Sequence, residues 1–384
     1  MRLAIFDGTF KTTAFINRLI QGLVDNGVDV YVLGFNEDLK QPLEKVKYVG
    51  LGSSQSRIKF LRTSLKWGIS SKALFRTIRL LLKGDKSWLK KINLNVALNK
   101  IQPDIVHLQW VSNISLFEEQ LNKKQFKFVL SQRGYQTNVR PFVNSENFNY
   151  LQHWFPKFDG FHSVSKAISR VGDEIYSDPN KVDKVVYTGL DLDKFEFQPE
   201  VVNNKVLQLI SVGRPHWIKG YDYALKACAL LDQRGIDFNY TIIGAKGDEE
   251  LLFLIDNLGL TGKVLLTSKL PQDKVFEMMK VSDIFLLPSL EEGIANVAVE
   301  AMALGTPVIS TDCGGMSELI THGKEGWIVP VRDAEAMAEQ IINFTNLELD
   351  EIRRIKMASR QKVEQQHNED RMIKGMIELY NSVK

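Results

Sequence analysis

The stretch Asp283–Thr311, DIFLLPSLEEGIANVAVEAMALGTPVIST, reads as strand, loop, helix and strand in turn. Ile284 to Leu287 form an apolar run of strand length, and Pro288 halts it, because proline cannot donate to a ladder. A helix is predicted from near Asn296 to Gly305, a residue suited to the left-handed position after a helix end. Extended sequence then resumes at PVIST. A strand, a helix and a second strand within about thirty residues make a β-α-β unit, whose two strands lie parallel.

The same alternation runs along the chain, which predicts an α/β fold with parallel sheets. LAIFD (3–7), a helical TTAFINRLIQGLVDNG and VDVYVLG (28–34) open the first half. DIVHLQW (104–110), FKFVLSQ (126–132), FHSVS (161–165) and KVVYTG (184–189) continue it. The pattern restarts with VLQLISVGR (206–214), FNYTIIG (238–244), KVLLTS (263–268), DIFLLPS (283–289), PVIST (307–311) and GWIVPV (326–331). At 384 residues the chain exceeds the ~100–200 of one domain, so two domains are expected, 1–190 and 191–365. The polar DLDKFEFQPEVVNNK (191–205) reads as their linker, and from about Arg353 the chain is charged and helical.

Apolar content of 44% and charged content of 25% are those of an ordinary globular protein. Cys228 and Cys313 lie far apart without metal-ligand spacing, which points away from a disulfide framework and toward a reducing compartment. MRLAIFDGTF lacks the apolar core of a signal peptide, and no apolar run approaches ~18 residues, so a cytoplasmic protein without a membrane span is expected. Charge is uneven within the net +3. Between Arg57 and Lys100, Lys or Arg stands at 57, 59, 62, 66, 72, 76, 79, 83, 86, 90, 91 and 100, against the single acid Asp85. Phe60, Leu61, Leu65, Trp67, Leu74, Phe75, Ile78, Leu81, Leu82, Trp88 and Leu89 interleave. Such a segment can lie on anionic lipid at the cytoplasmic face of a membrane, or it can be a pair of solvated helices with an ordinary core face. No reader motif for nucleic acid accompanies the charge.

Ligands of parallel sheets sit at the carboxyl ends of the strands, here expected to face a cleft between the domains. SVGRPHWIKGYDYALKA (211–227) ends a strand at Gly213, carries Arg214 and Lys219 in a loop and enters a helix through Gly220 and Asp222. Two cations beside a helix start suit a phosphate, and two plain surface cations fit the same spacing. Gly244 and Gly247 separate the next strand from its helix, as a turn needing positive φ would require. Glu292 falls in the loop before the Asn296 helix and Glu300 one turn inside it, among Val297, Val299, Ala301 and Met302. A carboxylate on an apolar face needs donors, and vicinal sugar hydroxyls supply them, while the amides of Ile294, Ala295 and Asn296 suit a phosphate. An exposed Glu and a helix N-terminal charge fit the spacing as well. TDCGGMSELITHG (311–323) adds Gly314 and Gly315 in a tight loop.

Taken together, GRPHWIKGYDYAL, LPSLEEGIANVAVEAMALGTPVISTDCGGMSELI and GWIVPVRDAEAMAEQI resemble the donor-domain pattern of the family-4 retaining glycosyltransferases, including its pair of glutamates eight positions apart. PDIVHLQW, VSKAISRVG and YTGLDLDKF echo the family more weakly, extending the likeness over most of the chain. The resemblance implies a GT-B fold, two Rossmann-like domains, with a C-terminal helix of about 366–384 returning to the first. It implies transfer from a nucleoside diphosphate sugar to a glycan or lipid-linked acceptor in polysaccharide assembly, with retention, without metal and with no cofactor beyond the donor. Glu300 would accept from the ribose hydroxyls, Glu292 would lie near the transferred sugar, and Arg214 and Lys219 would neutralise the diphosphate, with Gly213 and Gly244 in the donor pocket. On the acceptor side, Gly8 is the nearest equivalent of the family's glycine loop, and Arg133 stands where a histidine is common. His107 occupies a family-like position, although a histidine on an apolar strand is more often a satisfied core residue. EGIA replaces the usual EGFG or EGLP. A nucleotide-sugar epimerase of the same fold and a non-catalytic nucleotide-sugar-binding subunit are the alternatives.

Overall fold

The computed structural model describes every residue except 11, 36–38, 40, 71–73 and 202–203. The chain divides into two compact units, Met1–Gly189 with Glu369–Lys384, and Leu190–Asn368. In the first unit the strands are β1 (Arg2–Gly8), β2 (Asp29–Gly34), β3 (Lys47–Gly50), β4 (Ile105–Leu108), β5 (Lys127–Gln132), β6 (Gly160–Ser163) and β7 (Asp183–Val185). They form one parallel sheet in the order β3-β2-β1-β4-β5-β6-β7. β3 is absent from the sequence reading. Four residues long and only partly covered at the sheet edge, it lacks the apolar run that marks a buried strand.

The second unit holds β8 (Leu207–Val212), β9 (Phe238–Ile243), β10 (Val264–Thr267), β11 (Ile284–Leu287), β12 (Val308–Thr311) and β13 (Trp327–Val329). All pair in parallel, in the order β10-β9-β8-β11-β12-β13. Successive side chains of a strand face opposite ways, and both faces of each sheet are covered. Thus Ala4 and Phe6 enter one core of the first unit while Leu3 and Ile5 enter the other. Likewise Ile284 and Leu286 pack on one side of β11, and Phe285 and Leu287 on the other.

Two sequence expectations change. Residues 191–205 are not a free linker: Phe195 is buried in the second unit, and Gln198 N donates to Leu304 O at 2.9 Å. The basic stretch forms three helices, Arg57–Ser70, Leu74–Leu82 and Lys86–Ile101, with Lys72 outside the described residues. Phe60, Trp67 and Leu89 are core, whereas Phe75 and Leu82 are 90% and 84% exposed. Among the described residues no helix is long and apolar enough to cross a membrane. The final helix, Glu369–Val383, packs on the helix Ala14–Asp25, where Gly22 makes room: a Cβ there would lie 2.0 Å from Ile373 Cδ1.

Candidate functional site

In the second sheet the chain runs outward through β8, β9 and β10 and returns to β11 beside β8. Strand order reverses there, and the carboxyl ends of β8 and β11 open a crevice at the reversal. Both ends carry predicted site residues. After β8 come Gly213, Arg214, a turn at Trp217–Lys219, Gly220 and the helix Tyr221–Gln233. Beyond β11 lie Pro288, Ser289, Glu292 and the helix Asn296–Leu304, which closes on Gly305 at φ +86°.

Backbone contacts lock these two loops together and tie the second to the loop that follows β12. Leu290 N donates to Ile218 O at 2.7 Å, and Gly315 N to Gly293 O at 2.9 Å. Glycine is required where these loops touch. A Cβ on Gly220 would lie 2.1 Å from Pro288 O, and one on Gly314 would lie 1.7 Å from Glu292 O; both residues have positive φ. Gly213 has a different reason, since the Tyr221 hydroxyl fills the space 2.8 Å from its missing Cβ.

The result is a close ion pair between the strand ends. Lys219 Nζ lies 2.6 Å from Glu292 Oε1, and Ser289 Oγ donates to the same oxygen at 3.0 Å. Side-chain exposures of 22% and 17% leave the pair reachable yet partly desolvated, where a charge acts more strongly than in bulk water. Burial, with the Glu292 charge behind it, pushes the Tyr221 hydroxyl up, so it stays protonated. Buried Cys313 is pushed up to about 12 and is no nucleophile at neutral pH. Arg214 projects exposed from the end of β8, and Gly244, at φ +99°, packs where a Cβ would meet Gly213 O at 2.9 Å. Ala295 is buried and Ile294 and Asn296 are half-buried at the start of the helix. Glu300 lies half-buried on it, and Gln272 Nε2 donates to its Oε1 at 3.4 Å. The structure therefore joins Lys219 and Glu292 directly, and sets Arg214 and Glu300 on the same strand-end elements.

Gly8, His107 and Arg133 belong to the other unit. His107 is fully buried with both ring nitrogens bonded, the core histidine that an apolar strand favours. Its network dictates its tautomer. The Val186 carbonyl can only accept, so His162 Nε2 donates to it at 3.0 Å, and Ser131 Oγ then donates to His162 Nδ1 at 2.8 Å. That leaves Ser131 Oγ to accept from His107 Nε2 at 2.9 Å, and His107 Nδ1 to accept from Tyr380 OH at 2.8 Å and Gln109 Nε2 at 3.0 Å. Gln109 Oε1 consequently faces Arg133, whose Nη2 donates to it at 3.1 Å. Burial holds both imidazoles neutral, His162 down to about 3. Ser289, Tyr221, Asp7 and Trp110 escaped the sequence reading. Asp7, Trp110 and Ser289 had a signal: they end the strands LAIFD, DIVHLQW and DIFLLPS, where ligands of parallel sheets bind.

Two parallel α/β sheets of this kind define the GT-B class, and solved structures agree along the whole chain. Sucrose-phosphate synthase from Thermosynechococcus elongatus superposes with a TM-score of 0.79 at 16% identity, covering 100% of this chain and 99% of that one. Anabaena HepE, solved with UDP and glucose, does so at 0.76 and 17% identity, with full coverage of both. Residues 193–362, within the second unit, match the glycosyl transferases group 1 family. The putative colanic acid biosynthesis glycosyltransferase WcaL of Escherichia coli K12 is 36% identical over 188 residues, 47% of this chain and 46% of its own length. The amylovoran biosynthesis glycosyltransferase AmsK of Erwinia amylovora is 36% identical over 203 residues, 51% of this chain and 49% of its own. The match spans about half the length of these curated relatives.

Proposed function

We propose that the protein transfers a sugar from a nucleoside diphosphate sugar to a glycan or lipid-linked acceptor in cell-surface polysaccharide biosynthesis. The observation that carries this is the Lys219–Glu292 pair at the β8/β11 reversal of a glycosyl transferases group 1 domain. Lys219 Nζ has three donors and gives one to Glu292, so others remain for a diphosphate, which Arg214 can engage through two donors. The amides of Ile294, Ala295 and Asn296 add their dipoles. Glu300 accepts from the ribose hydroxyls, and Glu292 holds Lys219 while facing the transferred sugar. The anomeric carbon–oxygen bond breaks with its electrons passing to the diphosphate. The acceptor oxygen joins the same face, with retention, and its proton goes to the departing phosphate. Lys219 and Arg214 meet the leaving charge without a metal, each worth roughly 4 kcal/mol at ~4 Å and an effective dielectric near 20. No cofactor beyond the donor takes part. A position on the cytoplasmic face of a membrane follows from the basic helices of residues 57–101, whose exposed Phe75, Leu82, Ile58 and Ile69 stand among Arg57, Lys59, Arg79 and Lys83.

The test is nucleoside diphosphate release from UDP-, GDP- and ADP-sugars, with and without membrane lipid extract as acceptor source. Lys219→Ala and Arg214→Ala should each slow turnover by about 10²–10³, the loss typical of one donor to a developing anion. Unchanged turnover in both variants would end the leaving-group assignment.

A further inference from the structure

The transfer chemistry uses the charges that follow β8 and leaves the phenol beside them idle. Tyr221 opens the helix Tyr221–Gln233 directly after Gly220. The side chain is 4% exposed and belongs to the core that holds Leu225, Cys228 and Tyr240. Its hydroxyl, however, ends at the site. Gly213 has no side chain, and the hydroxyl lies 2.8 Å from the point that a Cβ there would occupy. Lys219 Cε and Cδ lie 3.6 and 3.8 Å from the same point, so the phenol oxygen and the stem of Lys219 converge on the residue that ends β8. The Glu292 charge reaches the same hydroxyl.

Two tyrosines share this core, and only one has its hydrogen in use. Ser211 Oγ donates to Leu286 O at 2.6 Å, so at 2.8 Å it accepts from the hydroxyl of fully buried Tyr240. The Tyr221 hydroxyl makes no hydrogen bond among the described residues. A desolvated donor without an acceptor is destabilising, and a phenylalanine would fill the same core space without that cost. The O–H is therefore useful only to an acceptor that arrives with a ligand. Lys219, whose side chain is 22% exposed, leaves the place reachable from solvent.

The neighbours decide which acceptor that is. Burial and the Glu292 charge keep the phenol protonated at neutral pH, so it has a hydrogen to offer. A neutral donor beside an ammonium suits the oxygens of a phosphoryl group, which take both at once. We propose that Tyr221 donates its phenolic hydrogen to the diphosphate held by Lys219 and Arg214, as a third side-chain donor to that group. As the anomeric bond breaks, charge builds on the departing oxygens. A ring packed in the core presents its O–H to that charge without reorganisation. The proton stays on Tyr221 throughout. That the diphosphate is a leaving group rests on the transferase reading; that a diphosphate takes this hydrogen bond does not.

The experiment uses the full chain, with calorimetric titration of UDP and of inorganic pyrophosphate beside the nucleoside diphosphate release assay. Tyr221→Phe keeps the ring and removes only the O–H. It should bind both ligands about tenfold more weakly and lower kcat by about ten- to a hundredfold, the range for one hydrogen bond to a charged group. Its ligand-free thermal midpoint should stay level or rise, because the lost donor had no partner in the fold. Tyr221→Met, which removes the O–H with a flexible apolar chain, should show the same loss of affinity. Equal affinity for UDP and pyrophosphate in wild type and both variants overturns the proposal, and a lowered midpoint alongside would assign the hydroxyl to the fold alone. A wild type that binds neither ligand overturns it as well. A wild type that binds pyrophosphate but neither binds UDP nor releases nucleoside diphosphate defeats the transferase reading, while the pyrophosphate titration still decides this one.

Discussion

Asp7 and the two buried histidines titrate in opposite senses, although burial is the first cause for each. Burial disfavours the charged form, which is the deprotonated state of Asp7 and the protonated state of His107 and His162. Asp7 is raised from 3.8 to about 6 in the folded protein, so its contribution to stability is complete below the unfolded value and is lost as pH rises through about 6. A shift of that size is worth roughly 3 kcal/mol. The histidines are lowered, so their contribution is present above 6.5 and fades as pH falls. Arg133 acts on both groups, drawing Asp7 down and further disfavouring the imidazolium. Asp7→Asn separates the two effects because the histidines are common to both proteins. Relative to wild type, the variant should gain stability between pH 4.5 and 7.5, measured as the change in urea midpoint at constant slope. A difference that stays flat across that range would mean that Asp7 is solvated in the folded chain.

The three basic helices show what periodicity leaves undecided at the scale of an element. Phe60 and Phe75 look alike in sequence, yet one is core and the other 90% exposed, because only neighbours distant in the chain determine which apolar face is covered. The same reason hid β3 and made 191–205 read as a linker. An edge strand needs no apolar run, and Phe195, which is buried in the second unit, cannot be told in sequence from a surface aromatic. The helix Asn296–Leu304 and its Gly305 end were legible, since a buried strand, a proline stop and a left-handed glycine are local requirements. So were Lys219 and Glu292 as separate residues. Their 2.6 Å contact was not, being made by two loops 73 residues apart. For the helices, the exposed apolar residues among cations predict adsorption to anionic vesicles. Phe75→Asp combined with Leu82→Asp should abolish sedimentation with phosphatidylglycerol liposomes at low salt, where the electrostatic attraction is least screened. Wild-type protein left in the supernatant under those conditions would remove the membrane-surface reading.

At the scale of the whole molecule, the chain's last sixteen residues belong to the unit that its first residues begin. Met372, Met376, Leu379, Tyr380 and Val383 are at most 5% exposed and join Leu3, Ile5, Val129 and Val186 in one core. Burying a side chain of this size stabilises by about 1.5–3 kcal/mol. Five of them amount to roughly 7–15 kcal/mol, as large as the entire stability of a typical domain. Tyr380 also supplies the hydrogen bond that, with Gln109, sets the tautomer of His107, so the polar network beneath Arg133 depends on the same segment. The second unit uses none of these residues, and its cores lie wholly within Leu190–Asn368. A chain ending at Asn368 should therefore lose the first unit selectively. Limited trypsin digestion is expected to degrade Met1–Gly189 rapidly and to leave a protected fragment near Leu190–Asn368, whereas the full chain resists in both. Equal resistance of both units in the shortened chain would show that the first sheet can bury its core without the returning helix. The unit boundary would then fall at Asn368, with the terminal helix a dispensable appendage.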